Sequence, residues 1–208
     1  MGHWDSYTDW DYSDHPNRSR VSRRCKRLER LVQKHPNRFD RYGFDTRPGH
    51  RFMFAGMAPP SCPDMVGAYR GSPVPHLANY KVGVPSDDKV GVPPGFVAFT
   101  MREFEKRCAL VTAEYLSTTA AQPRTIRLVR LVAALCGLLE EFFRIHPYAN
   151  GNGHTGRLLM LVLMARQGFN PVRWHIDESP AYHDAIRAYR RGKEKDLQKF
   201  MLKAIAGP

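Results

Sequence analysis

The sequence predicts a mainly α-helical fold. Apolar residues recur at helical spacing in several separate stretches, bounded by prolines, glycines or capping residues. One short stretch, rich in valine and proline, reads instead as paired extended chain.

Residues 1–16 are aromatic and acidic, with Trp4, Trp10, Asp11, Tyr12 and Asp14 among them. Such a segment does not fold alone, so Trp4 or Trp10 is expected to pack across the body. An acidic arm on a basic body can also cover an anion site. The first helix is expected over residues 18–34, capped by Asn17 or Ser19. Val21, Cys25, Leu28 and Val32 follow i, i+4, i+7, i+11, a single apolar stripe. Nine Lys and Arg residues from Arg18 through Arg38 give that helix a solvated basic face. Residues 36–65 show no clear period, and residues 51–57 read as a short buried strand or turn.

An irregular segment runs from Gly67 to Pro94. Within it residues 81–85 (Lys-Val-Gly-Val-Pro) recur as residues 89–93, on either side of Ser86, Asp87 and Asp88. This predicts a β-hairpin flap, limited by its prolines to an edge. Thr100 is placed to cap a helix over 101–118, with Met101, Phe104, Cys108, Val111 and Tyr115 as its stripe. Pro123 opens a long helix to residue 145. A helix after residue 153 is expected to stop at Gly168. Ser179 is expected to cap a helix carrying Tyr182, Ile186 and Tyr189. A last helix spans 194–205, with Leu197, Phe200, Met201 and Ile205 facing inward.

With 208 residues the chain holds one ordinary domain and a small arm. Its 42% hydrophobic and 25% charged content fits a soluble globular protein, and no apolar run approaches the length of a membrane span. The net charge of +12 favours an acidic partner such as a nucleotide or an acidic protein. No nucleic-acid-binding motif is present, so nucleic acid is not the expected partner. Cys25, Cys62, Cys108 and Cys136 are far apart, which fits packing roles in a reducing cytoplasm. The histidines lack the i, i+4 pair of a helical zinc site.

The chemistry concentrates in residues 145–157, Ile-His-Pro-Tyr-Ala-Asn-Gly-Asn-Gly-His-Thr-Gly-Arg. Pro147 ends the preceding helix and leaves His146 at its C-terminus. Gly151 and Gly153 permit positive φ and close approach of the backbone to a ligand. The loop then runs into a helix start, where unpaired N–H groups favour an anion. Arg157, in the first turn, can fork two donors onto a phosphate. Together these parts make an anion cradle beside a titratable imidazole, with His146 as the candidate general base.

This stretch resembles the signature of the Fic (Fic/Doc) family, H-P-F-x-[DE]-G-N-G-R-x-x-R. Six of its nine specified positions are identical: His146, Pro147, Gly151, Asn152, Gly153 and Arg157. Tyr148 stands for Phe, Asn150 for the acidic residue and His154 for the first Arg. The resemblance implies a Fic-type helical bundle with a short β-hairpin flap, covering roughly residues 67–208, preceded by an extension over 1–66. It implies transfer of AMP from ATP to a hydroxyl side chain of a target protein in the cytoplasm, its own or another cell's, as toxins and effectors do. His146 would then be the base, with Gly151, Asn152, Gly153, His154 and Arg157 on the phosphates.

Mg²⁺, or Mn²⁺ in its place, would sit at position 150, where Asn150 offers a carbonyl oxygen but no charge. The target would dock by strand addition along the flap near residues 67–94. The family's inhibitory helix signature, [ST]-x-x-x-E-[GN], does not occur in the sequence, so restraint would come from a separate inhibitory protein, or the altered loop would itself be slow. The two departures also keep open transfer of another phosphate-containing group, such as phosphate, phosphocholine or a different nucleotide. A catalytically weak nucleotide- or protein-binding module is the third reading.

Overall fold

The computed structural model describes residues 10–39, 44–83, 89–169, 171 and 180–206. Seven α-helices appear among them: α1 Ser19–Lys34, α2 Arg47–Phe54, α3 Pro94–Thr119, α4 Arg124–Ile145, α5 Asn152–Arg166, α6 Pro180–Arg190 and α7 Glu194–Ala206.

Helix α5 is the axis of the fold. Every residue from Thr155 through Ala165 is buried. A helix apolar on all sides has no solvent face and must be covered all round. One side of α5, with Leu159, Met160, Leu163 and Met164, joins a core built with α3, α4, α6 and α7. The other, with Leu158, Leu161, Val162 and Ala165, joins a second core built with α1, α2 and Trp10. Helices α4 and α5 approach closely because Gly156 has no side chain. A Cβ there would lie 2.9 Å from the Phe143 ring.

Several expectations hold. Val21, Leu28 and Val32 are buried on α1, as are Met101, Phe104, Cys108 and Tyr115 on α3. All four cysteines are free, and Cys108 and Cys136 are buried. Gly168 stands just past α5 at φ +75°, where the Phe169 N–H returns to the Met164 carbonyl. Trp10 is buried and donates its indole N–H to the Met57 carbonyl at 2.8 Å. No helix among the described residues is long and apolar enough to cross a membrane.

Other expectations fail, for physical reasons. Residues 51–57 are not a strand; most of them belong to α2, which opens with Pro48 and presses Met53 and Phe54 into the second core. Helix α3 begins six residues before Thr100, at Pro94, and Thr100 returns its hydroxyl to the Phe96 carbonyl inside the helix. The N-cap of α1 is Arg18, and no side chain caps that end. The Ser179 cap lies outside the described residues.

The β-hairpin flap is not seen: no strand occurs among the described residues. The N–H groups of Gly91 and Val92, which a ladder would need, go to the Arg144 and Ile145 carbonyls at the end of α4. Residues 84–88, where the turn was expected, lie outside the described residues.

Candidate functional site

The loop between α4 and α5 is built around His146. This residue caps α4 in the left-handed conformation, φ 52°, and is the one non-glycine residue at positive φ among those described. Such a conformation persists only where the surroundings enforce it. Here the His146 N–H bonds the Phe142 carbonyl at 3.0 Å, and the His146 carbonyl accepts from Arg70 Nε at 2.7 Å.

Arg70 is fully buried. Its other nitrogens donate to the carbonyls of Tyr80, Val92 and Ile145, each at 3.1 Å. A buried guanidinium is costly, and burial pulls its pKa down to about 10. Four carbonyl acceptors and the negative end of the α4 dipole offset that cost. The same side chain ties Tyr80 and Val92 to the loop between α4 and α5.

The middle of the loop is clamped from below. Tyr148 is buried and stacks on His50, ring centroids 3.9 Å apart and planes 8° from parallel. Its hydroxyl meets Thr46 Oγ1 at 2.7 Å. His50 Nδ1 accepts the Gly67 N–H, so its Nε2 carries the proton and donates to the Asn150 carbonyl, both at 2.9 Å. Burial holds His50 neutral, with a pKa near 4. Asn152 closes the turn: its Oδ1 accepts the Tyr148 N–H at 3.0 Å and its Nδ2 donates to the Tyr148 carbonyl at 2.9 Å. Gly151 is required by sterics. It lies at φ +79°, and a Cβ would fall 2.4 Å from the Phe54 ring.

Above this floor lies a pocket of about 370 Å³, lined on one side by His146 and residues 149–154 and on the other by Asp11, Tyr12 and Ser13. The N–H groups of Asn152, Gly153 and His154, at the first turn of α5, are those the helix leaves without intrahelical acceptors. They favour an anion.

The His146 ring is pushed down to a pKa of about 4, first by burial and then by Arg70, with Arg190 adding to it. The Phe143 carbonyl, which accepts from the ring, works the other way. The imidazole is therefore neutral at pH 7, one nitrogen donating and the other carrying a lone pair.

The remaining predicted residues are placed as follows. Gly153 is not among the glycines at positive φ; it belongs to the first turn of α5. Because α5 starts at Asn152, Arg157 falls in its second turn, where it is buried. Its Nη2 donates to His154 Nδ1 at 2.9 Å. That fixes the neutral tautomer of His154, with the proton on Nε2 facing the Tyr12 hydroxyl at 2.7 Å. The Asn150 Nδ2 donates to the Trp10 carbonyl at 2.7 Å, and its side-chain Oδ1 accepts the Gly151 N–H.

Sequence reasoning missed His50, Thr46 and Phe54 and gave Arg70 no role. His50 and Thr46 meet the loop across about 100 residues of chain, and no local pattern signals them.

A divalent cation is the group that the resemblance of this loop implies. The donor set fits one held chiefly by phosphate oxygens. The pocket has a single carboxylate among its described lining residues, Asp11, and Mg²⁺ commonly takes one or two carboxylates beside phosphate.

The site is thus a helix start whose N–H groups favour an anion, with a neutral imidazole at its rim. The chain matches the model of the Fic/DOC family over residues 50–164, from within α2 to near the end of α5. That is more than half its length, and the chain belongs to this family. It is 35% identical over 61 residues to the protein adenylyltransferase Fic of Aedes aegypti, covering 29% of this chain and 12% of that protein. It is 30% identical over 59 residues to the protein adenylyltransferase fic-1 of Caenorhabditis elegans, covering 28% and 12%. Against the Drosophila erecta protein adenylyltransferase Fic it is 30% identical over 108 residues, covering 52% and 19%. The chain spans less than a fifth of the length of these relatives.

Proposed function

We propose that the chain is a nucleotidyltransferase that moves AMP from ATP to a hydroxyl side chain of another protein. The observation that carries this reading is His146. It is an unprotonated imidazole at the edge of a pocket whose floor is a helix N-terminus. The hydroxyl oxygen forms a bond to the α-phosphorus, the bond to the pyrophosphate oxygen breaks, and the hydroxyl proton passes to His146. A ring with a pKa near 4 is a weak base in the empty pocket. Bound phosphates raise that value, because a nearby anion favours imidazolium, and so bring the base toward working pH.

The N–H groups of residues 152–154 hold phosphate oxygens, and Arg157 supports them through His154. A divalent cation, when bound, neutralises phosphate charge. The target segment docks beside residues 67–94, whose arms Arg70 fastens to the His146 carbonyl. Alignment of the acceptor is therefore coupled to alignment of the base.

The test is incubation with α-labelled ATP, Mg²⁺ or Mn²⁺, and a cell lysate. Protein-bound label is expected with the native chain, and a loss of about 10²–10⁴-fold with His146→Ala. Equal labelling by both proteins overturns the assignment.

A second reading is favoured by His154 and Asn150, whose side chains are engaged with the N-terminal segment. They leave room for a donor other than ATP that carries a different phosphate-containing group. With another α-labelled nucleoside triphosphate or labelled CDP-choline as donor, labelling that survives excess unlabelled ATP but is lost in His146→Ala selects it.

A further inference from the structure

Position 150 carries an amide where the family signature has a carboxylate, and that reverses the demand on its neighbours. A carboxylate only accepts; the Asn150 amide nitrogen donates and must find an acceptor. It finds the Trp10 carbonyl at 2.7 Å and Asp11 Oδ1 at 3.4 Å.

Asp11 is held there from three sides. Its Oδ1 accepts the Ser13 N–H at 2.9 Å, as the cap of the short 3₁₀ turn Tyr12–Asp14. On one flank Trp10 is buried and bonded to Met57. On the other, Tyr12 lies edge-on to Phe54, centroids 5.0 Å apart, with its hydroxyl on His154. The result is one carboxylate on the wall of the pocket that holds His146 and the start of α5.

We propose that Asp11, which lies outside the family-matched residues 50–164, supplies the carboxylate that position 150 lacks. It is a ligand for the divalent cation that accompanies the nucleotide phosphates. The substitution at 150 and the placement of Asp11 are two halves of one exchange. An acid at 150 would set two carboxylates together in the empty pocket, whereas the amide draws Asp11 in. The inference rests on the reading that this pocket takes a nucleoside triphosphate.

The test measures binding, not transfer. ATP affinity of the full chain is determined by calorimetry in EDTA and in Mn²⁺, with bound Mn²⁺ counted by electron paramagnetic resonance. The variants are Asp11→Asn, Asn150→Asp, the two together, and Asp14→Asn as a charge-matched control on the same turn. Asparagine still caps the turn, and thermal melts confirm that each variant is folded.

Asp11→Asn is expected to keep its affinity in EDTA within about twofold and to lose at least about tenfold of the Mn²⁺-dependent gain. Adding Asn150→Asp to it restores the gain, and Asp14→Asn leaves it intact. An unchanged Mn²⁺ gain in Asp11→Asn overturns the inference. So does ATP binding by the native chain with no gain from Mn²⁺, and in both cases the nucleotide reading stands. No ATP binding in either medium overturns both.

Discussion

His146 to Tyr148 and Asn150 to His154 belong to one loop, but they are held by different parts of the chain. The first half is fixed from within. Arg70 binds the His146 carbonyl, His50 stacks beneath Tyr148, and Thr46 meets the Tyr148 hydroxyl. In the second half the side chains of Asn150 and His154 face residues 10–25, although His50 also holds the Asn150 carbonyl from within. Asn150 meets Trp10 and Asp11, while His154 meets Tyr12 and, more loosely at 3.7 Å, the Cys25 thiol. All three signature positions of the fixed half are kept or change conservatively, whereas the other half keeps Gly151, Asn152 and Gly153 and departs at two. The two that depart from it, Asn150 and His154, are the two that touch the N-terminal segment. A loop that had merely decayed would leave such groups without partners. Here each has one, so the departures read as one adaptation between loop and segment.

The contrast breaks most readily at Arg70. Replacing it with Met removes the donor to four carbonyls, among them those of His146 and Ile145. Each acceptor left dry costs about 1–3 kcal/mol, partly offset by relief of guanidinium burial. A net loss of at least about 3 kcal/mol is expected in urea denaturation. A loss under about 1 kcal/mol would mean that the first half is not held from within.

Acid probes the same half. The folded-state pKa of His50, near 4, lies below its ordinary 6.5. The unfolded chain therefore takes up the proton first as pH falls. The neutral ring's contribution is complete above about pH 6.5 and is lost on descending toward pH 4, by about 3 kcal/mol in all. His146, with its pKa also near 4, adds in the same direction. Stability measured from pH 7 to 4.5 should fall less steeply in His50→Gln than in the native chain. Parallel curves would remove His50 as a buried neutral clamp.

What the sequence displayed of this site followed the range of each interaction. The places of His146 and Gly151 were legible because they depend on neighbours a few residues away, a helix end and a turn, whereas Arg157, expected in the first turn of α5, lies in its second. The stripes on α1 and α3 were legible for the same reason. Helix α2 was not. Its run of Phe52, Met53 and Phe54 has strand-like composition, and burial against α5 settles it as helix. The repeat at 81–85 and 89–93 suggested a hairpin by symmetry, but Gly91 and Val92 spend their N–H groups on α4 instead. Asp11 could not be picked out from the other acids of the arm, since its relation to Asn150 spans 139 residues.

The smallest expected effects sharpen the comparison most, because they set one hydroxyl on each half against the other. Thr46 and Tyr148 share a buried hydrogen bond, and removing either partner should cost about 1 kcal/mol. Removing both, as Thr46→Val with Tyr148→Phe, should cost little more than either alone, giving a coupling of about 1 kcal/mol. Tyr12→Phe deletes the hydroxyl that meets His154, but at a half-buried position beside an open pocket, where water can take its place. Its cost should stay within about 0.5 kcal/mol. Chemical denaturation of the four variants decides the matter. If Tyr12→Phe destabilises as much as Thr46→Val, the outer half is as firmly built into the fold as the inner one. The N-terminal segment would then be a structural strut and not a detachable wall of the pocket.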